Sequence, residues 1–343
     1  MSALNLFEDV VPLEKQHPMY RMMKHERHEP ERDVINEWAI GFQDRDNKFR
    51  KEFQTTFEPC LWELYIHAYL KELGLTTDFS YDAPDFVVVN KNEFCIEATI
   101  ALPAKGEQGA HGFSLKDMPS DFNKFNSEAS VRLSNSFISK VRKLRERYAL
   151  LPQCKDKPFV IAIASFDRPF AHFAAARPIL ATLYGLYHDE SATIESGSKS
   201  IISYNVDAAI KNENVNIDMG LFCTPEFSDV SAVIYSSLAT WGKVRALADN
   251  PTALTIYTYF TPNEDSLLPK VHRATKRDYV EHLADGLYIL HNPFAKNPLP
   301  KETLRHPRVA QGHVEPDGYV NFEAPEDFLL LRFLQTANIR DKE

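Results

Sequence analysis

The amino-acid sequence predicts an α/β fold, because segments with helical periodicity alternate with β-branched and aromatic runs over residues 57–165. Residues 57–73 are apolar almost all round and end at Gly74, which is typical of a buried helix that stops at a glycine. Two strand-like runs, a long helical pattern and a third apolar run follow in that order. The sequence therefore predicts a core of helix, strand, strand, helix and strand.

The first two predicted strands, 86–89 and 94–100, are separated by residues 90–92, and this spacing is typical of a hairpin. Side chains alternate between the two faces of a strand. In the second strand this alternation places Glu97 on the face opposite to its apolar neighbours. We expect the apolar face to join the core and Glu97 to be displayed from the other face, beside Asp85.

A long helix and a buried strand complete the predicted core. Residues 101–126 contain several glycines and prolines and are predicted as a loop. The run 159–164 suits a strand that is buried on both faces. A helix over 128–149 is predicted from an apolar stripe formed by Leu133, Phe137, Val141, Leu144 and Tyr148.

The segments outside this core carry coarser signals. Residues 1–30 end in a highly charged stretch and are predicted as an N-terminal arm, and an amphipathic helix over 31–54 begins the core domain, 31–168. Residues 169–343 form either a large α/β elaboration of the first sheet or a second domain, and the pattern leaves both open. Their predicted elements are helices over 172–187 and 276–286, strands over 219–223, 231–237 and 253–260, and an irregular tail over 291–318.

The bulk composition limits the compartment and the cysteine chemistry. The four cysteines are widely separated and form no CxxC pair, which favours reduced thiols over a zinc ribbon or a disulfide framework. The N-terminus lacks the features of a secretory signal, and no apolar run approaches the length of a membrane helix. We expect a cytoplasmic protein without a membrane partner.

The net charge of −9 means that the molecule as a whole repels polyanions, so any nucleic-acid contact needs a local basic strip. Cations are concentrated between Arg132 and Arg147, with a single acid among them. Arg132, Lys143 and Arg147 are the predicted nucleic-acid contacts. The alternative is a solvated helix face without a partner.

Three acids stand out as candidate metal ligands. Asp85 lies in a Pro-Asp-Phe run, Glu97 follows it by twelve residues, and Glu63 lies on the preceding buried helix. Mg²⁺ takes oxygen ligands, and one or two carboxylates together with a substrate phosphate suffice to hold it. Without a metal, three neighbouring carboxylates repel one another and at least one pKa should rise. The alternative is that the three acids never meet.

This order of elements and acids resembles the PD-(D/E)xK, or restriction-endonuclease-like, superfamily of phosphodiesterases. The resemblance covers residues 57–165, about a third of the chain. It implies a restriction-endonuclease-like core with a C-terminal elaboration, in which Asp85 and Glu97 bind Mg²⁺ or Mn²⁺ and Glu63 completes or supports the site. It also implies a nuclease that hydrolyses DNA or RNA.

The sequence departs from that family at Thr99, where the lysine that orients the attacking water would stand. A lysine from a neighbouring element is the expected replacement. Lys140 lies about 60° from the centre of the apolar stripe of the long helix, and Lys143 about 120°. Lys140 is therefore the predicted catalytic lysine, with Lys143 and Lys105 as alternatives. Lys140 could equally extend along the edge of the core without a catalytic role.

Other residues and chemistries are weighed against this site. Glu58 is the alternative to Glu63, although an acid this close to a helix N-terminus commonly interacts with the helix dipole. His67 follows Glu63 by one turn and is predicted as a hydrogen-bonded histidine, not a ligand. The sequence contains no Walker A loop, no GxSxG elbow and no zincin motif.

The predicted function is thus a magnesium-dependent endonuclease, with restriction or phage defence as a setting suggested by association. The chain would act as a homodimer or as a subunit of a defence complex. One alternative is a catalytically inactive module with the same fold that binds nucleic acid or a protein. Another is a scaffold subunit in which the acids are scattered.

Overall fold

The chain forms a mixed α/β fold in the computed structural model, which describes residues 4–197, 199–212 and 215–338. Its α-helices are α1 (Pro18–Met23), α2 (Glu29–Ala39), α3 (Phe49–Thr55), α4 (Glu58–Glu72), α5 (Phe122–Glu146), α6 (Arg177–Tyr184), α7 (Glu190–Ser196) and α8 (Trp241–Leu247). Its β-strands are β1 (Phe86–Val88), β2 (Phe94–Ala101), β3 (Phe159–Ser165), β4 (Leu186–Asp189), β5 (Ile202–Asn205), β6 (Ala208–Asn212), β7 (Val215–Asp218), β8 (Ala232–Ser236), β9 (Ala253–Thr261), β10 (Lys270–Thr275), β11 (Tyr288–His291), β12 (Ala310–Val314), β13 (Val320–Glu323) and β14 (Leu331–Asn338).

A seven-stranded sheet in the order β1-β2-β3-β8-β11-β12-β13 organises the molecule. Strands β2, β3 and β8 run parallel to one another, and β1 pairs antiparallel with β2 at the sheet edge. Strands β3 and β8 are buried along their whole length. Continuous apolar strands of this kind occur where both faces of a sheet are covered.

Helices cover both faces of this sheet. Helix α4 packs on one face, where Trp62 donates a hydrogen bond from Nε1 to the carbonyl oxygen of Ala162 in β3, at 3.1 Å. Helices α5 and α6 pack on the other face, where Phe137 belongs to the same apolar cluster as Ile161. The face that carries Glu97 is therefore a second core, and Glu97 itself is only 1% exposed.

The order α4, β1, β2, α5 and β3 is the order that the sequence predicts, and the α/β class is confirmed. The N-terminal third differs from its prediction. Residues 31–54 form two helices, α2 and α3, because Asp44 caps α3 by accepting hydrogen bonds from the backbone of Phe49 and Arg50. Within the predicted charged arm, 1–30, Tyr20 is fully buried, and so the described part of this segment packs against the core.

The C-terminal half shares the large sheet, since β8, β11, β12 and β13 all belong to it. This sharing favours an elaboration of the first sheet over a separate domain. The strands predicted over 231–237 and 253–260 correspond to β8 and β9, whereas the strand predicted over 219–223 is absent and the tail 291–318 contains β12. None of the described helices has the length and hydrophobicity to cross a membrane.

The helix predicted over 276–286 is wrong, and a buried ion-pair network explains the difference. Glu281 is buried and pairs with Lys243 of α8 and Arg332 of β14. Lys243 also donates to the carbonyl oxygens of His282 and Asp285. Side chains from distant elements therefore satisfy the backbone of this segment, and helical hydrogen bonds are not needed to do so.

Candidate active site

Asp85 and Glu97 meet at the edge of the large sheet. Phe86 pairs with Ile96 in the antiparallel register of β1 and β2, so the preceding residue, Asp85, lies across from Glu97. Asp85 Oδ2 accepts a hydrogen bond from the backbone N–H of Ala98 at 2.7 Å. The two carboxylates consequently lie on the same face of the sheet, towards α5.

Glu97 is engaged through only one of its carboxylate oxygens. Oε1 accepts a hydrogen bond from Lys140 Nζ at 2.7 Å and another from Lys143 Nζ at 2.9 Å. Oε2 is buried and makes no hydrogen bond of good geometry in the described part of the protein, although Tyr148 lies near enough for Glu97 to add to the burial that raises the pKa of the tyrosine. A buried carboxylate oxygen without a partner is costly, and so Oε2 is the atom at this site that most needs a ligand.

Both ammonium groups come from α5. Lys140 and Lys143 are three residues apart, a spacing that places two side chains on the same side of a helix. Lys140 leans towards the sheet, as the helical geometry predicts. Lys143, predicted as a nucleic-acid contact and as an alternative to Lys140, reaches the same oxygen, and its ammonium lies 4.9 Å from the ring centre of Tyr148. The Cα of Lys143 lies about 120° from the centre of the apolar stripe of α5, but its four-carbon side chain is long enough to reach Glu97.

Burial and mutual repulsion set the protonation of Asp85. Burial raises its pKa to about 6, and the charge of Glu97 acts in the same direction. Lys140, the N–H of Ala98 and Arg45 oppose this shift. Arg45 Nη2 lies 4.0 Å from Asp85 Oδ1, too far for a hydrogen bond. Asp85 Oδ1 is thus close to the Arg45 guanidinium but makes no hydrogen bond with it.

Arg45 is a site residue that the sequence does not reveal. It lies between α2 and α3, in the middle of the segment predicted as one continuous helix. Its guanidinium donates to the carbonyl oxygens of Tyr81 and Pro84, at 2.8 and 2.9 Å, and so fixes the turn that precedes Asp85. The capping pattern around Asp44 was the available signal that the chain turns there.

Glu63, on α4, lies within electrostatic reach of the two carboxylates. Burial raises its pKa well above the usual range, and the charge of Asp85 raises it further. The charge of Arg45 opposes this shift. Among the smaller effects on the pKa of Glu63, the charge of Glu97 raises it and the charge of Lys140 lowers it. The structure therefore brings together Asp85, Glu97 and Lys140, and it places Glu63 within reach of their charges without a direct contact among the described residues.

The other predicted candidates take different places. Thr99 lies on β2 and is only partly buried, and Lys105 is exposed in the loop after β2. Glu58 has two histidine partners, His17 and His111. His67 Nε2 lies 3.1 Å from the carbonyl oxygen of Ile40, so the hydrogen bond of this ring goes to the backbone and not to Glu63, while Nδ1 has no hydrogen-bond partner among the described residues.

The three predicted nucleic-acid contacts have different surroundings. Arg132 is paired with Glu107 at 3.4 Å, Lys143 is paired with Glu97, and Arg147 is exposed. Arg147 follows Arg132 by fifteen residues, a rise of about 22 Å along the helix axis. Their contact with nucleic acid stays a prediction.

The two carboxylates are of the type that binds a divalent cation. Each has one oxygen held by the protein, namely Glu97 Oε1 and Asp85 Oδ2. Each leaves the other oxygen, Glu97 Oε2 or Asp85 Oδ1, without a hydrogen bond among the described residues. Hard divalent cations prefer such oxygen ligands.

Comparisons with known proteins leave this site to be interpreted from its own geometry. No protein-family model, curated protein or solved structure matches the chain. The function must therefore be inferred from the surroundings of Glu63, Asp85, Glu97, Lys140 and Lys143.

Proposed function

We propose that this protein is a metal-dependent phosphodiesterase that hydrolyses nucleic acid, with a restriction-endonuclease-like core formed by α4, β1, β2, α5 and β3. The observation that carries the proposal is the convergence of Asp85, Glu97 and Lys140 at the edge of one sheet, with an unsatisfied oxygen on Glu97. Magnesium or manganese is the proposed cofactor. DNA and RNA both remain candidate substrates.

Each residue has a chemical role that follows from its surroundings. Asp85 and Glu97 offer the two open oxygens to a divalent cation, which when bound would neutralise charge on the phosphate and acidify a water molecule. Lys140 holds its ammonium beside the same carboxylate, where it can orient a water and stabilise negative charge on a phosphate oxygen. Its placement on α5 supplies the positive charge that Thr99 cannot.

Glu63 and Lys143 support the same centre. Burial raises the pKa of Glu63 well above its usual range, which favours the protonated carboxyl group and its ability to donate a hydrogen bond. Lys143 donates a hydrogen bond to Glu97 Oε1, as Lys140 does, and so places a second positive charge beside this oxygen. We infer that Lys143 helps to position Glu97 and that its contact with substrate is secondary.

A second candidate function keeps the fold without the activity. Two ammonium groups on one oxygen already compensate the charge of Glu97 in the absence of a metal. That observation favours a module that binds a nucleic-acid backbone through these lysines and does not cleave it. Binding of a divalent cation together with cleavage separates the two candidates.

The experiment is a cleavage assay on labelled single-stranded and double-stranded DNA and RNA, with Mg²⁺, with Mn²⁺ and with a chelator. Asp85→Asn and Glu97→Gln should each abolish cleavage, since either change removes a charged metal ligand. Glu146→Gln, an exposed acid on α5, is the matched control and should keep wild-type activity. Circular dichroism and thermal melting establish that each variant is folded.

Two results would count against the proposal. Cleavage that persists in folded Asp85→Asn would remove the site from the reaction. Metal-independent binding of nucleic acid without cleavage, lost in Lys140→Ala, would favour the second candidate.

A further inference from the structure

A second cluster of ligand-type side chains lies at the N-terminus of α4. His17 precedes α1, Glu58 is in the first turn of α4, and His111 is in the loop between β2 and α5. One ligand atom from each residue lies within 4.8 Å of the other two. Three segments that are distant in sequence thus bring two imidazoles and one carboxylate to a single point.

Glu58 lies between the two histidines. Its Oε2 is 3.4 Å from His17 Nε2, and its Oε1 is 2.9 Å from His111 Nδ1. The two imidazole rings are 4.6 Å apart at their centres and meet edge to face. His111 Nδ1 is buried and makes no hydrogen bond in the described part of the chain, although it is so close to the carboxylate. The short distance therefore lacks hydrogen-bond geometry.

Imidazole rings are the partners of the Glu58 carboxylate. Among the described residues, the ion-pair partners of Glu58 are these two imidazoles, with no lysine or arginine. A cation placed between the three side chains would satisfy the carboxylate and His111 Nδ1 together.

We propose that His17 Nε2, a Glu58 carboxylate oxygen and His111 Nδ1 bind a divalent transition-metal ion, with Zn²⁺ as the preferred ion. Imidazole nitrogens suit Zn²⁺ and its neighbours in the transition series, whereas Mg²⁺ prefers a site made of oxygen alone. This ligand set differs from the carboxylates of Asp85 and Glu97. The zinc site is consequently separate from the proposed phosphodiesterase site in both residues and chemistry.

Binding requires one local change at His17. Its Nδ1 accepts a long hydrogen bond of 3.3 Å from the backbone N–H of Met19. A histidine that binds metal through Nε2 carries its proton on Nδ1, so this bond is lost. A single capping bond contributes far less than the binding of a zinc ion by three protein ligands. The rearrangement therefore does not prevent metal binding.

Three protein ligands leave a fourth position on a tetrahedral ion. Glu58 and His111 also line a cavity of about 400 Å³, whose wall includes His172 and Arg245. Water or a small anionic molecule can reach the ion from this cavity. The ion would also join the N-terminal segment and the loop before α5 to the start of α4.

The test uses the full-length chain, freed of metal with a chelator and titrated with Zn²⁺ by calorimetry. We expect one equivalent of Zn²⁺ to bind with a micromolar or lower dissociation constant, and the melting temperature to rise. His111→Ala should weaken zinc binding by about 100-fold or more, because it removes one of the three protein ligands. His306→Ala is the matched control, since it removes a histidine paired with Glu72 at 3.0 Å and should leave zinc binding unchanged.

Several outcomes would overturn the proposal. One is that the wild-type chain does not bind Zn²⁺ stoichiometrically. Another is that His111→Ala and His306→Ala lose the same amount of zinc affinity. Should His111→Ala not fold, the visible spectrum of the Co²⁺-loaded wild-type protein decides, because imidazole and carboxylate ligation shifts it from that of aqueous Co²⁺. Glu97→Gln should keep wild-type zinc affinity, so failure of either metal site is distinguishable from failure of the other.

Discussion

Metal binding at the carboxylate pair should weaken as the pH falls, because Asp85 must lose its proton to become a ligand. Burial and the charge of Glu97 raise the pKa of Asp85 to about 6. Between pH 7 and pH 5 the deprotonated fraction of a group with that pKa falls about tenfold, which corresponds to about 1.4 kcal/mol in apparent binding free energy. Protonation of Glu63, whose pKa is also raised, would make the pH dependence steeper if that carboxyl is a ligand.

The stability of the metal-free protein should change in the opposite direction. A carboxyl group whose pKa is raised by folding contributes stability below its unfolded pKa, and this contribution is lost as the pH rises through the folded pKa. For Asp85 the window runs from its usual value of 3.8 to about 6, which corresponds to at most ~3 kcal/mol. Mg²⁺ at pH 7 should restore part of that loss.

The assay is calorimetric titration with Mg²⁺ or Mn²⁺ at pH 5, 6 and 7, in two buffers with different ionisation enthalpies. The difference between the buffers reports the number of protons released per ion. We expect release of about one proton near pH 5 from Asp85 and an affinity that rises with pH. Asp85→Asn should remove both effects. An affinity that does not change between pH 5 and 7, with no proton release, would refute the assignment of Asp85 as a ligand.

The remaining predictions concern the lysines, the surface cations and the buried network. Lys140→Met should abolish cleavage while metal affinity changes little, and Lys143→Met should cause a smaller loss; equal losses in cleavage rate would contradict the assigned roles. Arg147→Ala should flatten the salt dependence of nucleic-acid binding by about one counterion, and Arg132→Ala should have less effect because Arg132 is already paired. Lys243→Met should destabilise the protein by about 3–5 kcal/mol in urea denaturation, because it leaves a buried acid with one partner fewer.

The sequence predicts those parts of the site that depend on local periodicity. The alternation of β2 and the length of the hairpin suffice to place Asp85 and Glu97 on one face. The angle of Lys140 on α5 follows from the helical repeat. Each of these relationships lies within one rigid element or one tight turn, where backbone geometry fixes the direction of the side chains.

The missed parts depend on contacts between distant segments. Lys143, which the sequence offers only as an alternative to Lys140, reaches Glu97 together with it through the length of its side chain, and Arg45 enters the site because the chain turns at Asp44. The segment around Glu281 follows its partners Lys243 and Arg332 instead of a helical pattern. No local periodicity encodes such pairs, since their partners are chosen only when the sheet is assembled.

Helix α5 supplies both ammonium groups of the site. The sequence interval between the acids and the lysines of such a site could therefore differ from one protein to another. The spacing between Asp85 and Glu97 is fixed by a hairpin, and the spacing between Lys140 and Lys143 by a helical turn. The chain between Glu97 and Lys140 includes an irregular connection whose length neither element constrains. A pattern search with one fixed interval from acid to lysine would overlook this architecture. A search for two short, separately spaced pairs joined by a variable gap would detect it.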